Sequence, residues 1–76
     1  LEASSDFAGI VEGVLAEDVL DGDALARNVA SKSRKIGYQA EKGSFSYFLS
    51  HVRKAFSPAF LNYESQTHFI MLKCRP

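Results

Sequence analysis

From Gly43 to Pro58 the chain reads Gly-Ser-Phe-Ser-Tyr-Phe-Leu-Ser-His-Val-Arg-Lys-Ala-Phe-Ser-Pro. Phe45, Phe48, Leu49, Val52 and Phe56 return at steps of three and four, the spacing that aligns residues along one side of an α-helix. Ser44 offers a side-chain oxygen to cap the start. Pro58 forbids continuation because its ring clashes with the preceding turn and it has no N–H to donate. The opposite side carries Tyr47, Ser50, His51 and Lys54, which no core requires. This helix has an inside and a candidate working face.

The same periodicity extends upstream. Phe7, Ile10, Val11, Val14 and Leu15 predict a first helix, capped by Ser4 or Ser5 with Asp6 near its positive end, and the stripe fails at Glu17-Asp18. Val19-Leu20 is too short for a helix and predicts a brief extended segment. Asp21-Gly22-Asp23 reads as a turn followed by a helix start. The second helix should run from Ala24 to Ile36 with Leu25, Val29 and Ile36 facing inward and Gly37 as its C-cap. Tyr38 to Lys42 reads as a connection.

After Pro58 the pattern changes to runs rich in aromatic and branched residues, 59–63 and 67–73. Glu64-Ser65-Gln66 between them is short enough for a hairpin turn, and Ile70 and Leu72 are the expected buried positions. A lone hairpin is marginal in water, so it should cover the apolar side of the helices. The expected fold is therefore α+β: a winged helix-turn-helix of three helices with a C-terminal β-hairpin, a single domain over residues 1–76. A three-helix bundle with a loose tail competes, but the apolar density from Phe60 to Leu72 argues against it.

Composition narrows the function. A chain of 76 residues forms one small domain whose core leaves little room for a deep pocket, so no small-molecule substrate is expected. Its single cysteine, Cys74, excludes an internal disulfide and suits a reducing, intracellular and cytoplasmic setting. No apolar run is long enough for a membrane span or a secretory signal. Formal charge is zero but unevenly placed: residues 1–26 carry −7 and residues 27–76 carry +7. Such asymmetry points to a basic surface for an anionic partner. The plain alternative is a dipole that only keeps the domain dispersed, and packing decides between them.

His51, His68 and Cys74 are the histidines and the thiol. Their spacing matches no zinc site, and no Gly-rich phosphate loop is present. The carboxylates concentrate on the first helix and the turn after it, as a solvated face would. Neither an enzyme, a metal site nor a cofactor is expected. For nucleic acid the ingredients are better, since Lys and Arg neutralise phosphates and aromatic rings stack on exposed bases. The candidate binding residues are Lys32, Arg34 and Lys35 at the end of the second helix, Lys42 before the third, and Tyr47, Ser50, His51, Arg53 and Lys54 upon it. Lys73 and Arg75 should flank them. The basic end of the second helix equally suits that helix's negative terminus, and singly each Lys or Arg reads as well as a solvated surface residue. A face of Ser, His and Tyr lacks the Arg, Asn and Gln array that reads duplex base edges.

Three sets of residues resemble the LOTUS (OST-HTH) family, small winged-helix modules of Oskar, limkain and Tudor-containing proteins. They are Asp21 to Val29 at the entry to the second helix, Gly43-Ser44-Phe45-Ser46-Tyr47-Phe48-Leu49, and Phe56 with the closing Phe69-Ile70-Met71-Leu72. The resemblance spans about Phe7 to Lys73 and rests mostly on core positions. It implies RNA binding, including G-rich or structured RNA, within a larger RNA-regulatory protein. Extended members carry an added C-terminal helix and bind a DEAD-box helicase. With Pro76 directly after the expected last strand, the resemblance implies the minimal, RNA-binding type. A protein-interaction module that binds a helicase or a second copy of itself, and a winged helix for duplex DNA, are the competing expectations. No functional residue transfers, because the family has no catalytic motif to match.

Overall fold

The computed structural model describes residues 2–18 and 21–75, with side chains from Ser5 onward in the first of these stretches. Among the described residues there are four helices and a two-stranded antiparallel sheet: α1 (Glu2–Leu15), α2 (Gly22–Lys35), β1 (Gln39–Ala40), α3 (Phe45–Ala55), α4 (Tyr63–Lys73) and β2 (Cys74–Arg75). The expected extended pair Val19-Leu20 lies outside the described residues.

α1 begins at Glu2, so Ser4 and Ser5 sit inside the helix rather than capping it. Phe7, Val11 and Val14 are buried as the stripe requires, while Leu15 at the helix end is exposed. α2 starts where Asp21 accepts a hydrogen bond from the Asp23 N–H at 3.0 Å, which satisfies one of the donors a helix leaves open at its start.

Its end sets the core. Gly37 takes φ +98°, a left-handed conformation that glycine adopts without a Cβ penalty. The Gly37 N–H then bonds the Arg34 carbonyl and the Tyr38 N–H the Ser33 carbonyl, both at 3.0 Å, the paired closure of a Schellman motif. This turn sends Tyr38 inward, 1% exposed, where its ring meets Phe7 at 5.7 Å and its hydroxyl donates to Met71 Sδ at 3.6 Å. The expected inward residue, Ile36, is instead exposed because it caps the helix and the chain reverses directly after it. The supposed connection from Tyr38 to Lys42 holds β1, which pairs with β2 through Gln39↔Arg75 and Ala40↔Cys74. Ala40 and Cys74 close one edge of the core.

α3 matches expectation closely. Ser44 Oγ accepts from the Tyr47 N–H at 3.1 Å, Phe48, Leu49, Val52 and Ala55 are buried, and Phe56 is the C-cap. α3 packs on α2 and α4, and α1 packs on the same two helices, so the core lies between the two pairs.

The C-terminal hairpin is replaced. Residues 63–73 form α4, and the helices among the described residues number four rather than three. Asn62 Oδ1 accepts from the Ser65 N–H at 2.8 Å, so Glu64-Ser65-Gln66, expected as a turn between strands, forms the helix's first turn. Glu64 there suits the positive helix end. A short apolar run such as 69–72 fits a strand or a buried helix equally by pattern, and here the Asn62 cap decides. On a helix Ile70 and Leu72 point apart: Ile70 is fully buried and Leu72 is 68% exposed. No helix among the described residues is long and apolar enough to cross a membrane.

Candidate nucleic-acid interface

α3 is gripped on two sides, and its cations sort accordingly. Towards α2, Arg53 Nε donates to Asp23 Oδ1 at 2.7 Å, and Arg27 Nε donates to Asp23 Oδ2 at 2.8 Å. The guanidinium hydrogen bonds, Arg27's first and Arg53's second, hold the Asp23 carboxyl below the usual range. Lys32 Nζ donates to Glu17 Oε1 at 3.1 Å. Two of the residues expected to bind nucleic acid, Lys32 and Arg53, are thus occupied by carboxylates from the acidic first part of the chain. These pairs are exposed and contribute little to stability.

The side towards α4 is different. Tyr47 and His51, one turn apart on α3, meet edge-to-face with centroids 4.7 Å apart and planes at 90°. The His51 ring approaches Phe69 of α4 at 6.3 Å, and Phe69 meets Phe60 at 4.8 Å. These four rings form one continuous row across the α3–α4 seam. Lys42 Nζ stands over the Tyr47 ring, 5.2 Å from its centroid. Lys42 also shares with Arg75 a groove of about 400 Å³ that runs over Gln39, Ala40, Glu41 and Gly43, so one carboxylate lines it with the two cations. Burial first, then the charges of Lys54 and Lys73, holds the His51 pKa below its ordinary 6.5. Both lysines therefore act on the same ring from α3 and from the last turn of α4.

The other expected residues divide. Arg34 lies over the Phe45 ring at 5.2 Å, at the end of α2. Lys35 is exposed beside it. Ser50 Oγ donates to the Tyr47 carbonyl at 2.7 Å, so its hydroxyl serves its own helix. Lys42, Tyr47, His51 and Lys54 come together with Lys73 and Arg75. Phe60 and Phe69 join the row as residues the sequence did not place with the cations: Phe60 reads as part of a strand, and Phe69 as an exposed strand residue suited, with Met71, to holding a protein partner. Only a helix from residue 63 onward brings Phe69 beside His51.

What this surface can do follows from its parts. All four rings are half-buried, and Tyr47, expected to lie away from the core, packs against it with Phe69. The surface offers their exposed parts, ammonium and guanidinium groups for phosphates, and one ring nitrogen, His51 Nδ1, that is buried with no hydrogen-bond partner among the described residues. A second concavity lies across α4, where Ser5, Glu64 and His68 contribute to the lining. No hydrogen bond joins those three side chains among the described residues. No group of three or more His, Cys, Asp or Glu side chains there is placed to hold a metal ion. Comparison of the chain with protein-family models, curated proteins and solved structures gives no match.

Proposed function

We propose that this domain is an RNA-binding module which takes an unpaired or structured stretch of RNA across the seam between α3 and α4. The observation that carries the reading is the row Tyr47–His51–Phe69–Phe60 bordered by Lys42, Lys54, Lys73 and Arg75. Aromatic faces suit splayed bases, and flanking cations suit the phosphates between them. The order α1–α2–β1–α3, with β1 paired to the final strand, supports a helix-turn-helix of the winged type in which α4 occupies the place expected for the hairpin. That reading also supports the resemblance to LOTUS modules and their G-rich or structured RNA ligands.

Duplex DNA is the weaker partner, because Arg53, the one arginine on α3, is held by Asp23. Contact with a helicase or a second copy is the competing role. Leu61, 89% exposed, and the exposed Leu72 favour it.

The test is a titration of one labelled strand, as single-stranded RNA, as single-stranded DNA and as a duplex, at fixed ionic strength. The proposal expects the RNA to bind most tightly, and a G-rich folded RNA at least as tightly. Equal or better binding of the duplex would overturn it, as would absence of RNA binding at low salt. Sedimentation of the protein alone separates self-association from both.

A further inference from the structure

Ser57 is the one serine in the chain followed by proline. It sits in the connection between α3 and α4, residues 56–62, outside any helix or strand. Its N–H donates to the Lys54 carbonyl and its carbonyl accepts from the Phe60 N–H, both at 3.0 Å, so it occupies a turn directly after the end of α3. Ser57 is half-buried, while Pro58, Ala59 and Leu61 are exposed. A protein kinase binds its substrate serine in an extended segment. Ser31 and Ser46 lie within helices and Ser44 caps one, so each would require a helix to unwind. The turn at Ser57 can be opened at far less cost, and Pro58 supplies a residue with no N–H to leave unsatisfied in the kinase.

We propose that Ser57 is a phosphorylation site for a proline-directed serine kinase and that its phosphate weakens polyanion binding at the α3–α4 seam. In the reaction the Ser57 Oγ attacks the γ-phosphorus of a nucleoside triphosphate. Its proton passes to the kinase's base, the bond to the β-phosphate oxygen breaks, and the nucleoside diphosphate leaves. The product carries about −1.5 to −2 charges near neutral pH. Those charges stand at the negative end of α3, which repels them, and one turn from Lys54, which attracts them. Lys54 is one of the two lysines that act on His51. A phosphate there competes directly with the RNA backbone for that ammonium.

The regulatory half of this inference rests on the RNA reading, whereas the modification half does not. The experiment treats the whole chain, and a Ser57→Ala variant, with a mitogen-activated protein kinase and ATP, and locates the phosphate by tandem mass spectrometry. The expected result is one phosphate, on Ser57, and none on the variant. Single-stranded RNA should then bind the modified protein roughly three- to tenfold more weakly near ~100 mM salt, with a salt slope smaller by about 0.7, as loss of one phosphate contact predicts. The His51 ring, followed by NMR, should titrate at higher pH once Lys54 is neutralised, a readout that needs no RNA. Incorporation elsewhere, or none, overturns the site. Phosphorylation at Ser57 with unchanged RNA affinity and an unmoved His51 overturns the regulation. Failure of the unmodified protein to bind RNA would instead remove the functional reading and leave the mapping and the His51 titration to judge the site.

Discussion

Cations occupied by carboxylates should matter less for RNA than cations bordering the aromatic row, and the difference can be worked out in advance. On a single strand each phosphate contact contributes about 0.7 to the slope of log affinity against log salt. A fourfold rise, from ~50 to ~200 mM, therefore costs roughly 2.6-fold per contact. Lys42→Gln and Lys54→Gln should each lower the slope by about 0.7, and the double variant by about 1.4. Lys32→Gln should leave it nearly unchanged, because Glu17 already holds that ammonium at 3.1 Å. Tyr47→Ala tests the other ingredient. Losing one stacked base costs about 1–3 kcal/mol, roughly 5- to 150-fold in affinity, with no change in slope. The variant also loses the edge contact with His51 at 4.7 Å, worth about 0.5–1.5 kcal/mol of stability, so its fold must be checked by circular dichroism. Fluorescence anisotropy with labelled single-stranded RNA across a salt series provides every number. If Lys32→Gln lowered the slope as much as Lys42→Gln, or Tyr47→Ala bound as tightly as the parent, the assignment of the face would be wrong.

Ile70→Ala should destabilise the domain by about 2–5 kcal/mol in urea unfolding, since a fully buried side chain leaves a cavity; Leu72→Ala, the neighbour a strand would have buried, should cost under ~1 kcal/mol. Burial pushes the Cys74 thiol up to about 11, so iodoacetamide at pH 8 should modify it slowly in the native protein and rapidly in denaturant, and equal rates would refute its burial. His51, held below its ordinary 6.5 by burial and two lysines, refuses a proton that the unfolded chain accepts. Stability should therefore fall as pH drops below about 6.5 and level off once the folded ring protonates. Urea midpoints from pH 7 to 5 should show that decline in the parent and a smaller one in His51→Phe.

Much of the framework could be read from the sequence, and the failures share a cause. α3 was legible because five apolar residues, a serine cap and a proline stop agree on one answer. The Gly37 turn was also legible, although its consequence was not: nothing local reveals that Tyr38 will fill the core in place of Ile36. α4 was missed because 69–72 is apolar on consecutive positions, which hides any period. The deciding signal was Asn62, three residues before Ser65, a cap that reads equally as a turn residue. That single error displaced Phe69 and Leu72, and so concealed both the aromatic row and the exposed leucine. Charge pairing was illegible for a different reason. The partners of Lys32 and Arg53 lie 15 and 30 residues away, and only packing brings them together.

Packing also explains why the basic surface survives folding at all. With −7 early and +7 late, a chain whose halves packed face to face would neutralise itself. α1 packs on both α2 and α4, but the ion pairs of the acidic part gather at α2: Glu17 holds Lys32, and Asp23 holds Arg27 of its own helix and Arg53 of α3. The seam between α3 and α4, with the β1–α3 turn and β2 beside it, is built from residues 39–75. That segment holds Lys42, Arg53, Lys54, Lys73 and Arg75 against Glu41 and Glu64 alone. Glu64 lies in the first turn of α4, two and a half turns before Lys73, and with about 5.4 Å per turn it is too far to screen the lysines at the other end closely. Glu41 stands next to Lys42 and offsets charge there alone. Topology, more than composition, therefore decides which cations remain open to a polyanion: Lys42, Lys54, Lys73 and Arg75 stay beside the aromatic row, and Arg34 and Lys35 stay at the end of α2.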